Sequence, residues 1–112
     1  MDRFTALTDE HGDNRFVVVL TGELDLVYTG HLQSILNDLI TPGARVVLDV
    51  GGLTFMDSTG LSSLLRASER ARIAGATFRL AAPHPAVTRI LNLTGAALAL
   101  ETRDDVLAAL SD

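Results

Sequence analysis

Arg45-Val46-Val47-Leu48-Asp49-Val50-Gly51-Gly52-Leu53-Thr54-Phe55-Met56-Asp57-Ser58-Thr59-Gly60 decides how this chain folds. Its first six residues are an almost continuous apolar run, the pattern of a strand covered on both faces or central in its sheet. Gly51-Gly52 then lets the chain turn, and the small polar tetrapeptide Asp57-Ser58-Thr59-Gly60 opens a strongly apolar helix carrying Leu61, Leu64 and Leu65. The start of that helix leaves four backbone N–H groups without intrahelical partners, at the positive end of the dipole. A serine hydroxyl held there sits where an added phosphate is tolerated.

Working outward, Phe4 to Thr8 alternates weakly and is expected as an edge strand, followed by a polar turn over 9–14 and a valine-rich strand from Arg15 to Thr21. The short loop between them predicts a hairpin. Gly22-Glu23-Leu24-Asp25 breaks the second strand. From Thr29 the period changes: Leu32, Ile35, Leu36, Leu39 and Ile40 make one apolar helical stripe, ended by Thr41-Pro42-Gly43. The helix that begins at Ser58 or Thr59 ends at Gly75, a natural C-terminal cap. Thr77 to Ala81 is a short strand. Pro85 suits the first turn of a helix carrying Val87, Ile90 and Leu91 and stopping at Gly95. Leu98-Ala99-Leu100 is a marginal strand, and Thr102 is placed to cap a last helix with Val106, Leu107 and Leu110. The order β-β-α-β-α-β-α-β-α predicts a single α/β domain over residues 1–112. Its sheet is mixed but mostly parallel, with an antiparallel N-terminal strand and about four helices.

The 112 residues are 47% apolar and 21% charged, the balance of an ordinary water-soluble domain. The longest apolar runs are too short to span a bilayer, and no secretory signal is expected at the N-terminus. With no cysteine there are no disulfides and no thiolate metal sites, so a cytoplasmic location is expected. Every basic residue is arginine, a pattern that a GC-rich bacterial genome would produce. The absence of lysine removes the P-loop, Schiff-base and Ser-x-x-Lys chemistries. A net charge of −5 with scattered arginines argues against nucleic acid and for a protein partner. His11, His31 and His84 lack metal-ligand spacing, so no metal is expected.

Ser58 or Asp57 would serve as an ordinary helix N-cap. Yet Asp57, Ser58, Thr59 and Gly60 supply an acid, two hydroxyls and a glycine where one cap would do, and a first-turn glycine costs about 1 kcal/mol against alanine. Enzyme alternatives do not fit the residues. An aspartic protease needs Asp-Thr/Ser-Gly, and here an extra residue separates acid from glycine in an α/β pattern. A nucleophile elbow needs Gly-x-Ser-x-Gly, and Met56 stands two before Ser58. A phosphoacceptor receiver domain would use Asp49 but also needs a lysine. Gly22-Glu23-Leu24-Asp25 serves as a strand-to-helix turn, with Asp25 or Thr29 as cap. On a functional reading it follows a strand expected to neighbour the one before Asp57, which would put both segments at the carboxyl edge of the sheet, where α/β folds place their sites.

Three segments in order, Gly22-Glu23-Leu24-Asp25, then Leu53-Thr54-Phe55-Met56-Asp57-Ser58-Thr59-Gly60-Leu61, then Pro85-Ala86-Val87 through Leu93-Thr94-Gly95, resemble the bacterial anti-sigma factor antagonists of the STAS family (sulfate transporter and anti-sigma antagonist). The resemblance spans essentially the whole chain. It implies a non-enzymatic, cofactor-free switch in which the unphosphorylated antagonist binds an anti-sigma factor with serine kinase activity and so releases a sigma factor. Phosphorylation ends the binding, and a PP2C-type phosphatase restores the antagonist. By position the implied phosphoacceptor is Ser58, with Thr59 a second hydroxyl where the family more often has serine. The implied contact surface is Gly22, Glu23, Asp25, Asp57, Ser58, Thr59 and Gly60. Other STAS roles, in a stressosome or as a subunit of a lipid-transport ABC system, share the same resemblance.

Overall fold

A computed structural model describes residues 3–111. Its strands are β1 (Phe4–Glu10), β2 (Arg15–Leu24), β3 (Arg45–Met56), β4 (Thr77–Ala81) and β5 (Thr102–Arg103). Its helices are α1 (Leu26–Leu39), α2 (Ser58–Ala74), α3 (Pro85–Thr94) and α4 (Val106–Leu110), with a 3-10 turn at Ala96–Leu98. The sheet order is β1-β2-β3-β4-β5; β1 runs antiparallel to β2 and every other pair is parallel. This is the α/β architecture that the alternation of periods predicts.

β3 is central and covered on both faces, which explains its continuous apolar run. Val46, Leu48 and Val50 point into the main core with Leu32 and Leu36 of α1, Leu64 and Ala67 of α2, and Val87 and Leu91 of α3. Val47, on the opposite face, packs with Val17, Ala81, Ala109 and Leu110 under α4. That second layer is too small to hold a five-residue helix by apolar contact alone, and arginines complete it. Arg79 is 9% exposed; it donates to Glu101 Oε2 at 2.7 Å and to the carbonyls of Ala109 and Ser111 at 3.0 and 2.6 Å. Arg45 donates to the Leu110 carbonyl at 2.7 Å. These cations meet the carbonyl end of α4, which the helix itself leaves unpaired.

The structure corrects four local expectations. Gly51-Gly52 does not turn the chain: β3 runs on to Met56, and Gly52 lies against Thr21 of β2, where a Cβ would meet Thr21 Cγ2 at 2.9 Å. Gly22 does not break β2, which continues to Leu24 through two register shifts against β3. There the glycine is required: its φ is +95°, and an added Cβ would fall 1.9 Å from the Arg3 carbonyl oxygen. Of the two caps expected for α1, Asp25 is the one used, Oδ1 accepting from Val27 N at 3.0 Å, so the helix begins three residues before Thr29. Finally, Leu98-Ala99-Leu100 is not a strand; the edge strand is Thr102–Arg103, and Asp105 rather than Thr102 caps α4, accepting from Ala108 N at 2.7 Å. A two-residue strand carries no period from which it could be read.

Arg79→Ala leaves Glu101 and the α4 carbonyls without their shared donor. Urea unfolding should show a loss of about 2–3 kcal/mol relative to the parent, whereas the exposed Arg89→Ala should stay within about 0.5 kcal/mol.

Candidate functional site

Strands β2 and β3 leave the sheet side by side, with Glu23 opposite Phe55 and Leu24 opposite Met56. The next backbone group, Asp57 N–H, donates to the Leu24 carbonyl at 3.2 Å. The two helix caps that follow, Asp25 and Asp57, are thereby brought to one edge, as the neighbouring-strand argument predicts. Gly60 fixes the spacing. It is buried, and a Cβ there would lie 2.7 Å from the Leu24 carbonyl oxygen and 2.8 Å from Met56 Cγ. The first turn of α2 rests directly on the strand ends, and this close approach offsets the helix propensity that glycine forfeits.

Both capping acids at this edge are occupied. Asp57 Oδ1 accepts from Gly60 N at 2.9 Å and from Thr59 Oγ1 at 2.6 Å. Asp25 accepts from Val27 N on one oxygen and from Arg3 at 3.2 Å on the other. The two neighbouring hydroxyls therefore differ in availability. Thr59 is half-buried and committed to Asp57, while Ser58 is exposed at the first helical position and its hydroxyl has no hydrogen-bond partner among the described residues. The arrangement presents the serine oxygen without activating it, since the adjacent carboxylate already serves as a cap.

Ser58 opens onto a cleft of about 280 Å³ lined by Leu26, Thr29, Ser58, Thr59, Ser62 and Arg66. Leu26, Val27 and Phe55 stand exposed at the same edge, giving it apolar contact surface. Of the residues expected in the site, Glu23, Asp25, Asp57, Ser58, Thr59 and Gly60 gather here. Gly22 instead lies beneath the Arg3 backbone and serves the path of the chain. Leu26, Ser62 and Arg66 were not singled out by motif. The signal for the last two is their spacing, four and eight residues after Ser58, which places all three along one side of a helix. His84 has a structural role, its Nδ1 accepting from Ala86 N to cap α3. Among the described residues no group of three or more His, Asp or Glu is placed to hold a metal ion, and no helix is long and apolar enough to cross a membrane.

The hydrogen bond from Thr59, then that from Gly60, holds the Asp57 carboxyl below its ordinary value of 3.8. A group with a lowered folded value stabilises above its unfolded value and loses that contribution as pH falls through the folded one. Asp57→Asn keeps a capping oxygen but cannot titrate. In thermal melts the parent should exceed Asp57→Asn in Tm by a constant margin above pH 5, and the margin should shrink steadily below pH 3.8.

The model of the STAS domain matches residues 6–109. An anti-sigma factor antagonist from Mycobacterium paratuberculosis is similar at 27% identity, with 96% of this chain and 91% of that one covered and a TM-score of 0.82. The Bacillus cell fate determinant SpoIIAA in its phosphorylated form shares the fold at 18% identity, with 93% and 96% covered and a TM-score of 0.70. A murine anion transporter, solute carrier 26 family member A9, contains the same fold: 97% of this chain matches 22% of that one at 13% identity and a TM-score of 0.76. The match to the domain model runs from the first strand into the last helix, and the chain belongs to the STAS domain family.

Proposed function

We propose that this protein is an anti-sigma factor antagonist whose partner binding is switched off by phosphorylation of Ser58. The observation that carries this reading is the unequal state of two adjacent hydroxyls: Thr59 is held by Asp57 and Ser58 is free and exposed. A kinase active site can reach the Ser58 oxygen without dismantling the α2 cap. The similarity to an anti-sigma factor antagonist of Mycobacterium paratuberculosis supports the partner class. The unphosphorylated protein binds an anti-sigma factor with serine kinase activity, frees a sigma factor, and is reset by a PP2C-type phosphatase. It acts in the cytoplasm as a single-domain, non-enzymatic component, with no cofactor and no contact with nucleic acid or membrane.

The contact surface on this reading comprises Glu23, Asp25, Asp57, Ser58, Thr59 and Gly60, with Leu26, Val27 and Phe55 supplying apolar area and Gly22 shaping the strand beneath. A phosphate adds about −1.5 to −2 charges at neutral pH. Pressed into an interface beside Asp57 and Asp25, it brings like-charge repulsion and loses its hydration. A hundredfold loss of affinity requires only about 2.8 kcal/mol. No refolding of the antagonist is needed.

A second reading, favoured by the transporter match, is a STAS module that docks on a transport system, such as a lipid-transport ABC assembly, or in a stressosome. It predicts co-purification with that assembly regardless of the residue at position 58. The two are separated by measuring binding of purified variants to the cognate kinase. Ser58→Ala should bind like the unphosphorylated parent and remain bound in the presence of ATP, and Ser58→Asp should bind about a hundredfold more weakly or not at all. Equal affinity of the two variants contradicts the switch.

A further inference from the structure

One charged side chain lines the cleft beside Ser58. That residue is Arg66, and Leu26, Thr29, Thr59 and Ser62 complete the walls with Ser58 itself. Among the described residues Arg66 has no ion pair, whereas Arg3, Arg72, Arg79 and Arg103 are each held by a carboxylate. The two capping carboxylates are committed elsewhere, Asp57 to Thr59 and Gly60 and Asp25 to Val27 and Arg3. The cleft thus holds an unpaired cation and several hydroxyls, with no anion among its walls.

Eight residues of helix separate Ser58 from Arg66, about 12 Å along the axis at about 1.5 Å per residue. Helical side chains lean back toward the N-terminus, so the guanidinium on its long stem extends toward Ser62 and Ser58. Ser58 lines the same space of about 280 Å³, into which a phosphate on its oxygen can turn. We propose that Arg66 is the internal counter-cation of phosphorylated Ser58, with the Ser62 hydroxyl between them as a third ligand. This inference rests on the phosphorylation of Ser58 proposed above. A planar guanidinium suits a phosphate, which it binds through paired N–H donors.

The switch then has two parts. In the unphosphorylated protein, Arg66 and the open cleft are available to the partner. Phosphorylation adds negative charge and draws the guanidinium inward, so the cleft fills and the Arg66 cation leaves the contact surface. Both changes occur with the backbone in place.

The test needs no kinase. Phosphoserine is incorporated genetically at position 58 of the full chain, and the phosphate is titrated by phosphorus NMR in the parent and in Arg66→Gln and Arg66→Lys. An unperturbed phosphoserine has its second pKa near about 6. The parent should titrate about half a unit or more below Arg66→Gln at low salt, with the gap closing toward about 1 M salt and Arg66→Lys falling between. Coincident curves for the parent and Arg66→Gln overturn the assignment. A kinase that leaves Ser58 unmodified contradicts the proposed function without altering these curves, and coincident curves leave the kinase result as it stands.

Discussion

The approach of Gly60 to the end of β2 is the constraint on which the site depends. The helix that carries Ser58 cannot ride on side chains at this point, because the Leu24 carbonyl already occupies the space a Cβ would need. The Asp57 N–H closes on the same carbonyl. Strand β2, strand β3 and the first turn of α2 are thereby fixed to one another through backbone atoms. A site built this way is rigid before any partner arrives, and it presents its exposed hydroxyl at a defined place. Backbone rigidity also means that a chemical change at Ser58 acts on the surface itself and does not have to pass through a rearranged core.

Charge at this edge is arranged in the same spirit. Asp25 and Asp57 each start a helix, and each carboxylate is occupied by backbone N–H groups together with Arg3 or Thr59. Two anions can stand close together here because both are neutralised locally by donors. Among the described residues, the charged side chain that lines the cleft beside Ser58 is Arg66. The opposite end of the molecule uses arginine differently: Arg79 is buried and permanently paired, holding a short helix in place. Arginine thus serves the structure at one end and remains available at the other.

The sequence makes the α/β order, the parallel sheet and most helix ends legible, because apolar periods and capping residues act locally. Gly75 and Gly95 both end helices in the left-handed conformation, as their positions imply. What was not legible came from contacts distant in sequence. Glycines at 22, 51 and 52 look like breaks, yet β2 and β3 continue through them. Gly22 passes under Arg3 and Gly52 against Thr21, neither of which is a near neighbour in the chain. Strand β5 has two residues and is defined only by its partner, β4. At the site, the tetrapeptide 57–60 was legible as a cluster. The different states of Ser58 and Thr59 depend on a side-chain hydrogen bond that no pattern encodes.

The central claim is that the hydroxyl of Ser58, and not that of Thr59, is the point of control. Site-resolved mass spectrometry of the parent, Ser58→Ala and Thr59→Val after incubation with the cognate kinase and ATP tests it directly. The account predicts a single phosphate on Ser58 in the parent and in Thr59→Val, and none in Ser58→Ala. A phosphate on Thr59 in the parent, or undiminished phosphorylation of Ser58→Ala, would contradict it.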